Sequence, residues 1–215
     1  MSYENLVKNA IEYITDIFQN NADGHDLNHS LRVYKNAMNI AEVYPEADKL
    51  VISLAALLHD VDDHKLFKTE NNENARRFLE NHIEDGINLQ YKEKDRPGQI
   101  HDNSEILGDS RIKKICTAIN SVSFSKNKGL RPDSIEGCIV QDADRLDALG
   151  AIGIARTFAY GGKHGRSIEE SAEHFYEKLL LLKEQMNTEE AKRIAEERHE
   201  FLVQYIEELK KEINL

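Results

Sequence analysis

The stretch LAALLHDVDDHK, residues 54 to 65, ends an apolar run with His59 and Asp60 and continues into further aspartates and a histidine. A titratable side chain at the end of a buried helix is costly unless a counter-charge or a metal ion pairs with it. Imidazole nitrogen and carboxylate oxygen atoms both bind divalent cations. The stretch therefore raises the question of whether other parts of the chain supply matching ligands.

Two other titratable residues point toward the predicted core. His29 shares a helical face with three apolar residues at i+4, i+8 and i+11, namely Val33, Ala37 and Ile40. Asp144 lies in QDADRLDALGAIGIAR, whose small residues leave space around the carboxylate. Two imidazoles and two carboxylates from three helices suit a divalent cation and leave positions for water and substrate oxygens. Each residue alone is more often structural, but together they predict a metal site.

Helical periodicity is the dominant pattern of the chain. Apolar residues recur at three- and four-residue steps, and only three prolines interrupt the sequence. No segment shows convincing strand alternation, so the predicted fold class is all-α. The polar stretch at residues 84–110 is predicted to form a long loop. The predicted helices cover residues 3–19, 27–44, 46–60, 70–82, 111–122, 134–160 with a break, 168–185 and 188–212.

The composition limits the classes of function. A chain of 215 residues, 40% of them hydrophobic, suits one globular domain. Acidic residues outnumber basic ones by 39 to 28, and the resulting net charge of -11 disfavours nonspecific binding to nucleic acid or anionic membranes. Cys116 and Cys138 form no CxxC motif, which favours reduced structural thiols. There is no signal-peptide pattern and no membrane-length apolar run, so we expect a cytoplasmic protein.

His29, the pair His59-Asp60 and Asp144 resemble the H, HD and D motifs of the HD superfamily of metal-dependent phosphohydrolases. The flanking strings GHDLNHSLRV and DRLDALGAIGIARTFAYGG are similar to those of stand-alone bacterial HD hydrolases that act on nucleoside triphosphates. The resemblance implies an HD-domain helical bundle with additional C-terminal helices. We expect a single domain over residues 1–215, with its core at about 22–165 and the C-terminal helices at about 168–212.

The resemblance also implies ligands and an activity. His29, His59, Asp60 and Asp144 would bind one divalent metal ion, with Mn²⁺ or Mg²⁺ first and Co²⁺, Fe²⁺ or Ni²⁺ as alternatives. The implied reaction is cleavage of a (deoxy)nucleoside triphosphate to the monophosphate and pyrophosphate. The alternatives are a nucleoside monophosphate phosphatase, a phosphodiesterase or alarmone hydrolase, and a non-enzymatic nucleotide-binding regulatory protein. His101 in the long loop keeps a dinuclear site open as an alternative.

Other side chains near the motifs have predicted supporting roles. Asp63 is the predicted catalytic residue that assists attack by water, with Asp62 as its rival and a solvated helix end as the structural alternative. Asp26 or Asp147 is predicted to orient a ligand, as metal-bound imidazoles usually require.

A phosphorylated substrate needs cations around it. Arg32, Lys65 and Arg145 flank the motifs and are the predicted substrate-binding residues, although each could equally be structural or solvated. The expected partner is thus a small phosphorylated molecule, most simply a nucleotide, and neither nucleic acid nor membrane. The charge-rich terminal helix could also support a homodimer contact.

Overall fold

The computed structural model describes residues 2–18, 26–64, 66–82, 107–123, 127 and 129–213. Every regular element within these ranges is helical, which confirms the predicted all-α class. None of the described helices is long and apolar enough to cross a bilayer. The α-helices are α1 (Tyr3–Phe18), α2 (Leu27–Ala41), α3 (Lys49–Leu58), α4 (73–82), α5 (Asp109–Val122), α6 (Ile135–Asp147), α7 (Gly150–Lys163), α8 (Ile168–Glu177) and α9 (Glu189–Ile213).

Helix α3 is the centre of the bundle, as its almost wholly apolar sequence KLVISLAALL indicates. All of its residues except the first are buried, and α1, α2, α5 and α6 pack around it. Burying each large aliphatic side chain contributes roughly 1.5–3 kcal/mol before entropic costs. The end of α3 is therefore held firmly, and His59 and Asp60 follow directly from it.

Helix α3 begins two to three residues later than its sequence pattern suggests. Asp48 is the N-cap, and its carboxylate accepts hydrogen bonds from the backbone N–H groups of Leu50 and Val51 at 3.0 and 3.3 Å. The same carboxylate accepts a bond from Arg111 Nε at 2.9 Å. This residue satisfies the exposed N–H groups of one helix and joins that helix to α5, so it sets the start of α3.

Two predicted helices are also too long. The predicted helix 27–44 ends at Ala41, and the predicted helix 168–185 ends at Glu177. Two short 3₁₀ helices, Leu179–Leu181 and Lys183–Gln185, follow Glu177 and lead the chain to α9.

A sharp corner joins α6 to α7. Gly150 has a φ of +67°, a left-handed conformation that glycine adopts without the steric cost other residues incur. A Cβ atom on Gly153 would lie 2.2 Å from the carbonyl oxygen of Ala148, so the corner requires glycine there as well. The corner leads into α7, whose Arg156 contacts Asp147 at the end of α6.

Asp142, fully buried on α6, fastens the start of α9 to the core. Its carboxylate accepts four hydrogen bonds of 2.8 Å, two from Asn187 and two from Thr188. Burial raises the pKa of this carboxyl group despite these bonds. The contact ties the C-terminal helices to the helix that carries Asp144, which supports a single domain over residues 1–215; that assignment stays a prediction.

We predict that Asp142→Ala lowers the free energy of unfolding by about 3 kcal/mol, because buried donors lose their acceptor. Urea denaturation followed by circular dichroism measures this, and the wild-type chain should unfold in a single transition. Asp133→Ala, which changes an exposed aspartate, is the matched control and should shift the free energy by less than about 0.5 kcal/mol. Equal stability of the two variants would contradict the role of Asp142.

Candidate active site

Helices α2 and α3 bring two imidazole rings together. His29 lies in the first turn of α2, where its backbone N–H donates to the N-cap carboxylate of Asp26 at 2.7 Å. His59 is the residue that ends α3. The Nε2 atoms of the two rings are 3.2 Å apart, and both side chains are buried.

Two carboxylates complete the cluster. Oδ2 of Asp60 lies 3.2 Å from His59 Nε2 and 3.5 Å from His29 Nε2. Oδ1 of Asp144, on α6, lies 3.3 Å from His29 Nε2 and 3.9 Å from His59 Nε2. The structure thus brings all four predicted metal ligands to one place.

The hydrogen-bond partner of the Nδ1 atom in each ring shows what the cluster can bind. His59 Nδ1 lies 2.9 Å from the carbonyl oxygen of Ala56, and His29 Nδ1 lies 2.7 Å from Oδ2 of Asp147. Because both partners accept, each Nδ1 carries the hydrogen, and a neutral ring then turns the lone pair of Nε2 toward the cluster. Facing lone pairs and carboxylates repel one another unless a proton or cation lies among them, so this donor set fits a divalent cation.

Histidine pKa values follow this charge distribution. Burial lowers the pKa of His59, but the Asp60 and Asp144 carboxylates outweigh that effect and raise it to about 9. Burial likewise opposes ionisation of His29, whose pKa is nevertheless raised by Asp144, Asp147 and Asp60. The site therefore attracts positive charge, and a proton competes with a metal ion for it.

The carboxylate pKa values shift in the opposite direction. Burial raises the pKa of Asp144, yet the hydrogen bond and charge of His29, together with the charge of His59, lower it to about 2. This carboxylate is therefore ionised at neutral pH, as a metal ligand must be.

Asp147 accepts hydrogen bonds from three side chains next to the cluster. It lies one helical turn after Asp144 and only 2% of its surface is exposed. In addition to His29, it accepts bonds from Arg32 Nε at 2.6 Å and Arg32 Nη2 at 3.0 Å, and from Arg156 Nη1. Burial raises the pKa of Asp147, but these partners lower it below its usual range. Of the two sequence candidates for orienting a ligand, Asp147 contacts the His29 ring, whereas Asp26 accepts a hydrogen bond from the His29 backbone.

A cleft of about 1200 Å³ opens from this cluster. Its size exceeds the roughly 300–1,000 Å³ of a typical small-molecule pocket, so it has room for a nucleotide and a metal ion. The described residues that line it include the four predicted ligands and Asp63, whose side chain is 18% exposed. Asp62 is occupied elsewhere, because its two oxygens accept the backbone N–H groups of Asn74 and Ala75 at the start of α4.

The three predicted substrate-binding cations have different surroundings. Arg32 is held by Asp147 and is not among the described residues that line the cleft. Arg145 lines the cleft, but it is 4% exposed and donates to the carbonyl oxygen of Gln185. Lys65 lies outside the described residues, as do His101 and most of the predicted loop 84–110. The substrate-binding role of all three stays a prediction.

Sequence reasoning missed two walls of the cleft. Arg166, His174 and Lys178 form what we call the basic wall, which lies between α7 and the end of α8. The uncharged side chains of Thr69, Asn71, Asn72, Asn120 and Ser123 also line the cleft, and we call them the neutral wall; Lys68 and Glu70, of opposite charge, line the cleft beside them. Neither wall has a sequence motif, and the segment that carries the basic wall, residues 163–178, contains four glutamates beside its three lysine and arginine residues.

We predict that Asp147→Asn weakens metal binding roughly 10- to 100-fold, because His29 loses the carboxylate that fixes its ring. Titration calorimetry with Mn²⁺ measures the affinity. Asp26→Asn is the matched control: asparagine is also a good N-cap, so affinity should change by less than about threefold. If both variants bind Mn²⁺ as the wild-type chain does, Asp147 has no orienting role.

Comparison with known proteins agrees with this geometry. The family model described as HD domain matches residues 26–149, which include all four clustered residues. The protein YpgQ of Bacillus subtilis (strain 168) is 36% identical over 209 residues, which are 94% of this chain and 90% of YpgQ.

Solved structures give the same result. The crystal structure of Bacillus subtilis YpgQ in complex with ADP has a TM-score of 0.72 at 31% identity, covering 99% of this chain and 97% of that one. An HD-superfamily hydrolase from Bacillus thuringiensis has a TM-score of 0.70 at 37% identity, with 99% of both chains covered. The chain therefore belongs to the HD superfamily of metal-dependent phosphohydrolases.

Proposed function

We propose that this hydrolase acts on nucleotides and cleaves a (deoxy)nucleoside triphosphate to the monophosphate and pyrophosphate. The observation that carries the proposal is one cleft that joins a divalent-cation donor set to a basic wall and a neutral wall. The complex of the related YpgQ with ADP supports a nucleotide as the ligand.

His29, His59, Asp60 and Asp144 would hold the metal ion. A divalent cation there supplies positive charge to phosphate oxygens and makes water acidic enough to act as a nucleophile near neutral pH. The sequence prediction of Mn²⁺ or Mg²⁺ stays part of the proposal, and carboxylate ligands suit both. The protein's own contribution is to hold the four side chains in place: Asp147 orients one imidazole and the Ala56 carbonyl orients the other.

Asp63 is the residue that would take a proton from the attacking water. In the proposed step the water oxygen bonds to the α-phosphorus while the bond from that phosphorus to the bridging oxygen breaks. The bridging oxygen leaves with the electron pair as part of pyrophosphate, and the proton of the water passes to Asp63. Asp62 is unsuited to this role because both of its oxygens cap α4.

The neutral wall suits the nucleoside. Amide and hydroxyl groups donate and accept hydrogen bonds, as base edges and sugar hydroxyls require. Oγ1 of Thr69 is buried and has no hydrogen-bond partner in the described ranges, so a ligand could supply one. Asn71 and Asn72 have φ values of +55° and +59°, and such strained backbone is concentrated at functional sites.

The remaining sequence predictions belong to the same proposal. A nucleotide substrate fits the expected cytoplasmic location and makes nucleic acid an unneeded partner for a chain of net charge -11. A homodimer formed through the terminal helix is compatible with the exposed side chain of Phe201 on α9. None of these points bears on the chemistry of the cleft.

We predict that the metal-loaded protein releases pyrophosphate and a nucleoside monophosphate from at least one member of a panel of (deoxy)nucleoside triphosphates. Phosphorus NMR identifies the products. Asp60→Ala should lower the rate at least 100-fold by removing a metal ligand, and circular dichroism should show that the helices remain. The panel also contains nucleoside monophosphates, cyclic dinucleotides and an alarmone.

Other products would contradict the proposal in distinct ways. Orthophosphate from a monophosphate would identify a phosphatase, and a single monophosphate from a diester would identify a phosphodiesterase. Nucleotide binding without turnover under any metal would favour a regulatory protein. Full activity of Asp60→Ala would overturn the site itself.

We predict that Asp63→Asn lowers kcat roughly 10²- to 10⁴-fold while Mn²⁺ affinity changes little, because the base is lost and the ligands are not. Asp62→Asn is the matched control, since asparagine keeps one of the two acceptors at the start of α4, and it should keep most of the wild-type rate. Steady-state kinetics and calorimetry measure the two quantities. An unaltered kcat in Asp63→Asn would leave this residue without a catalytic role.

A further inference from the structure

The basic wall includes an arginine whose surroundings are unusual for this acidic chain. Arg166 lines the cleft, and no carboxylate of the described chain pairs with its guanidinium group. Arg193 on α9 shows the usual arrangement in this protein, because it pairs with Glu190 and Glu197 at 2.7 and 3.0 Å. An arginine without a carboxylate partner, in a chain with 39 acidic residues, is positioned for an anionic ligand.

The local structure fixes where Arg166 lies. Its backbone N–H donates to the carbonyl oxygen of Gly161 at 2.9 Å. A Cβ atom on Gly161 would come within 2.0 Å of Ser171 Oγ, so α7 and α8 approach as closely as glycine permits. The next residue, Ser167, begins α8 with a capping box that involves Glu170. The turn that carries Arg166 is therefore held at both ends.

An aromatic ring holds the guanidinium group itself. Cζ of Arg166 is 5.6 Å from the centroid of the Tyr160 ring, and the ring of His164 stacks on that tyrosine at 4.0 Å. Tyr160 also lines the cleft. A cation–π contact restricts the guanidinium group without neutralising its charge or occupying its N–H donors.

Like charges converge on this wall. Burial and the charges of Lys178 and Arg166 lower the pKa of His174, although Glu177 lies 3.9 Å from its Nδ1 and opposes them, so the ring is mostly neutral at pH 7. The cations of the wall are therefore Arg166 and Lys178, which repel one another, and an anion with several charges relieves the repulsion. A polyphosphate is such an anion.

Helix α7 runs from the metal cluster toward the basic wall. Arg156 on α7 contacts Asp147, which holds His29. Tyr160 follows one turn later, about 6 Å farther along the axis, and Arg166 lies over its ring. Arg166 therefore lies at the end of α7 that is farther from the contact with Asp147.

We propose that the basic wall, Arg166, His174 and Lys178, binds the two distal phosphates of a nucleoside triphosphate, which leave as pyrophosphate. This inference rests on the proposed function and assigns the orientation of its substrate: nucleoside at the neutral wall, α-phosphate at the metal cluster, and β- and γ-phosphates at the basic wall. The wall would also stabilise the negative charge that the bridging oxygen gains when its bond to the α-phosphorus breaks.

The test compares two product ligands that differ in this part of the cleft. Inorganic pyrophosphate and deoxyadenosine monophosphate are each titrated into the protein by calorimetry with excess Mg²⁺. Arg166→Gln and Lys178→Gln should each weaken pyrophosphate binding roughly tenfold or more, because a charge-assisted contact is lost. Monophosphate binding should change less than twofold. Arg193→Gln and Lys192→Gln remove the same charges from the surface of α9 and should affect neither ligand.

Tyr160 provides a second, smaller test. Tyr160→Leu should weaken pyrophosphate binding about two- to fivefold, because the guanidinium group loses its aromatic support. Tyr160→Phe keeps the ring face and should bind as the wild-type chain does. This pair separates an effect on Arg166 from a loss of the tyrosine hydroxyl group.

Specific outcomes would overturn the assignment. One is that the wall variants bind both ligands equally more weakly, and another is that they bind both as the α9 controls do. A third is that the wild-type chain does not bind pyrophosphate at about 10 mM. If the wild-type enzyme releases pyrophosphate from triphosphates but the wall variants are unaffected, only this inference fails. If it releases no pyrophosphate from any triphosphate, the proposed function fails, whatever the variants bind.

Discussion

A carboxylate can stay ionised inside a helical bundle only if several donors surround it, and Asp147 meets that condition with partners from two other helices. Its oxygens accept from His29 and Arg32 on α2 and from Arg156 on α7, while its own backbone belongs to α6. The same contacts that offset the cost of burial also fix the orientation of an imidazole in the metal cluster. Packing and chemistry therefore depend on one buried charge.

Much of the cluster could be predicted because helix periodicity alone determines which face a residue occupies. His29 shares its face with Val33 and Ala37, and both are fully buried. The apolar run before His59 has the same effect, since a helix that is apolar on every side is buried and carries the next residue into the core. The convergence of His29, His59, Asp60 and Asp144 follows from these local patterns and from the need to pair buried charge.

The partners of the arginines could not be predicted in the same way. Arg145 is adjacent to Asp144 in sequence, but consecutive helical residues point about 100° apart, and its side chain reaches Gln185 instead of the metal cluster. Arg32 is on the expected face, yet a single sequence does not tell whether it meets a substrate or a carboxylate 115 residues away. The basic wall depends on the angle between α7 and α8, which a close glycine contact determines and which no periodicity encodes.

Helix α7 contacts Asp147 through Arg156 and ends at Lys163, just before the turn that carries Arg166, so about 10 Å of helix separates the two features. This part of the helix therefore sets the separation between the metal cluster and the guanidinium group of Arg166. If the basic wall binds phosphates as proposed, the length of this part of the helix would limit how many phosphates fit between the two. Insertion of one residue would displace the far end by about 1.5 Å and rotate it by about 100°. The position of Arg166 along and around α7, as well as its charge, would then determine which substrates fit this cleft.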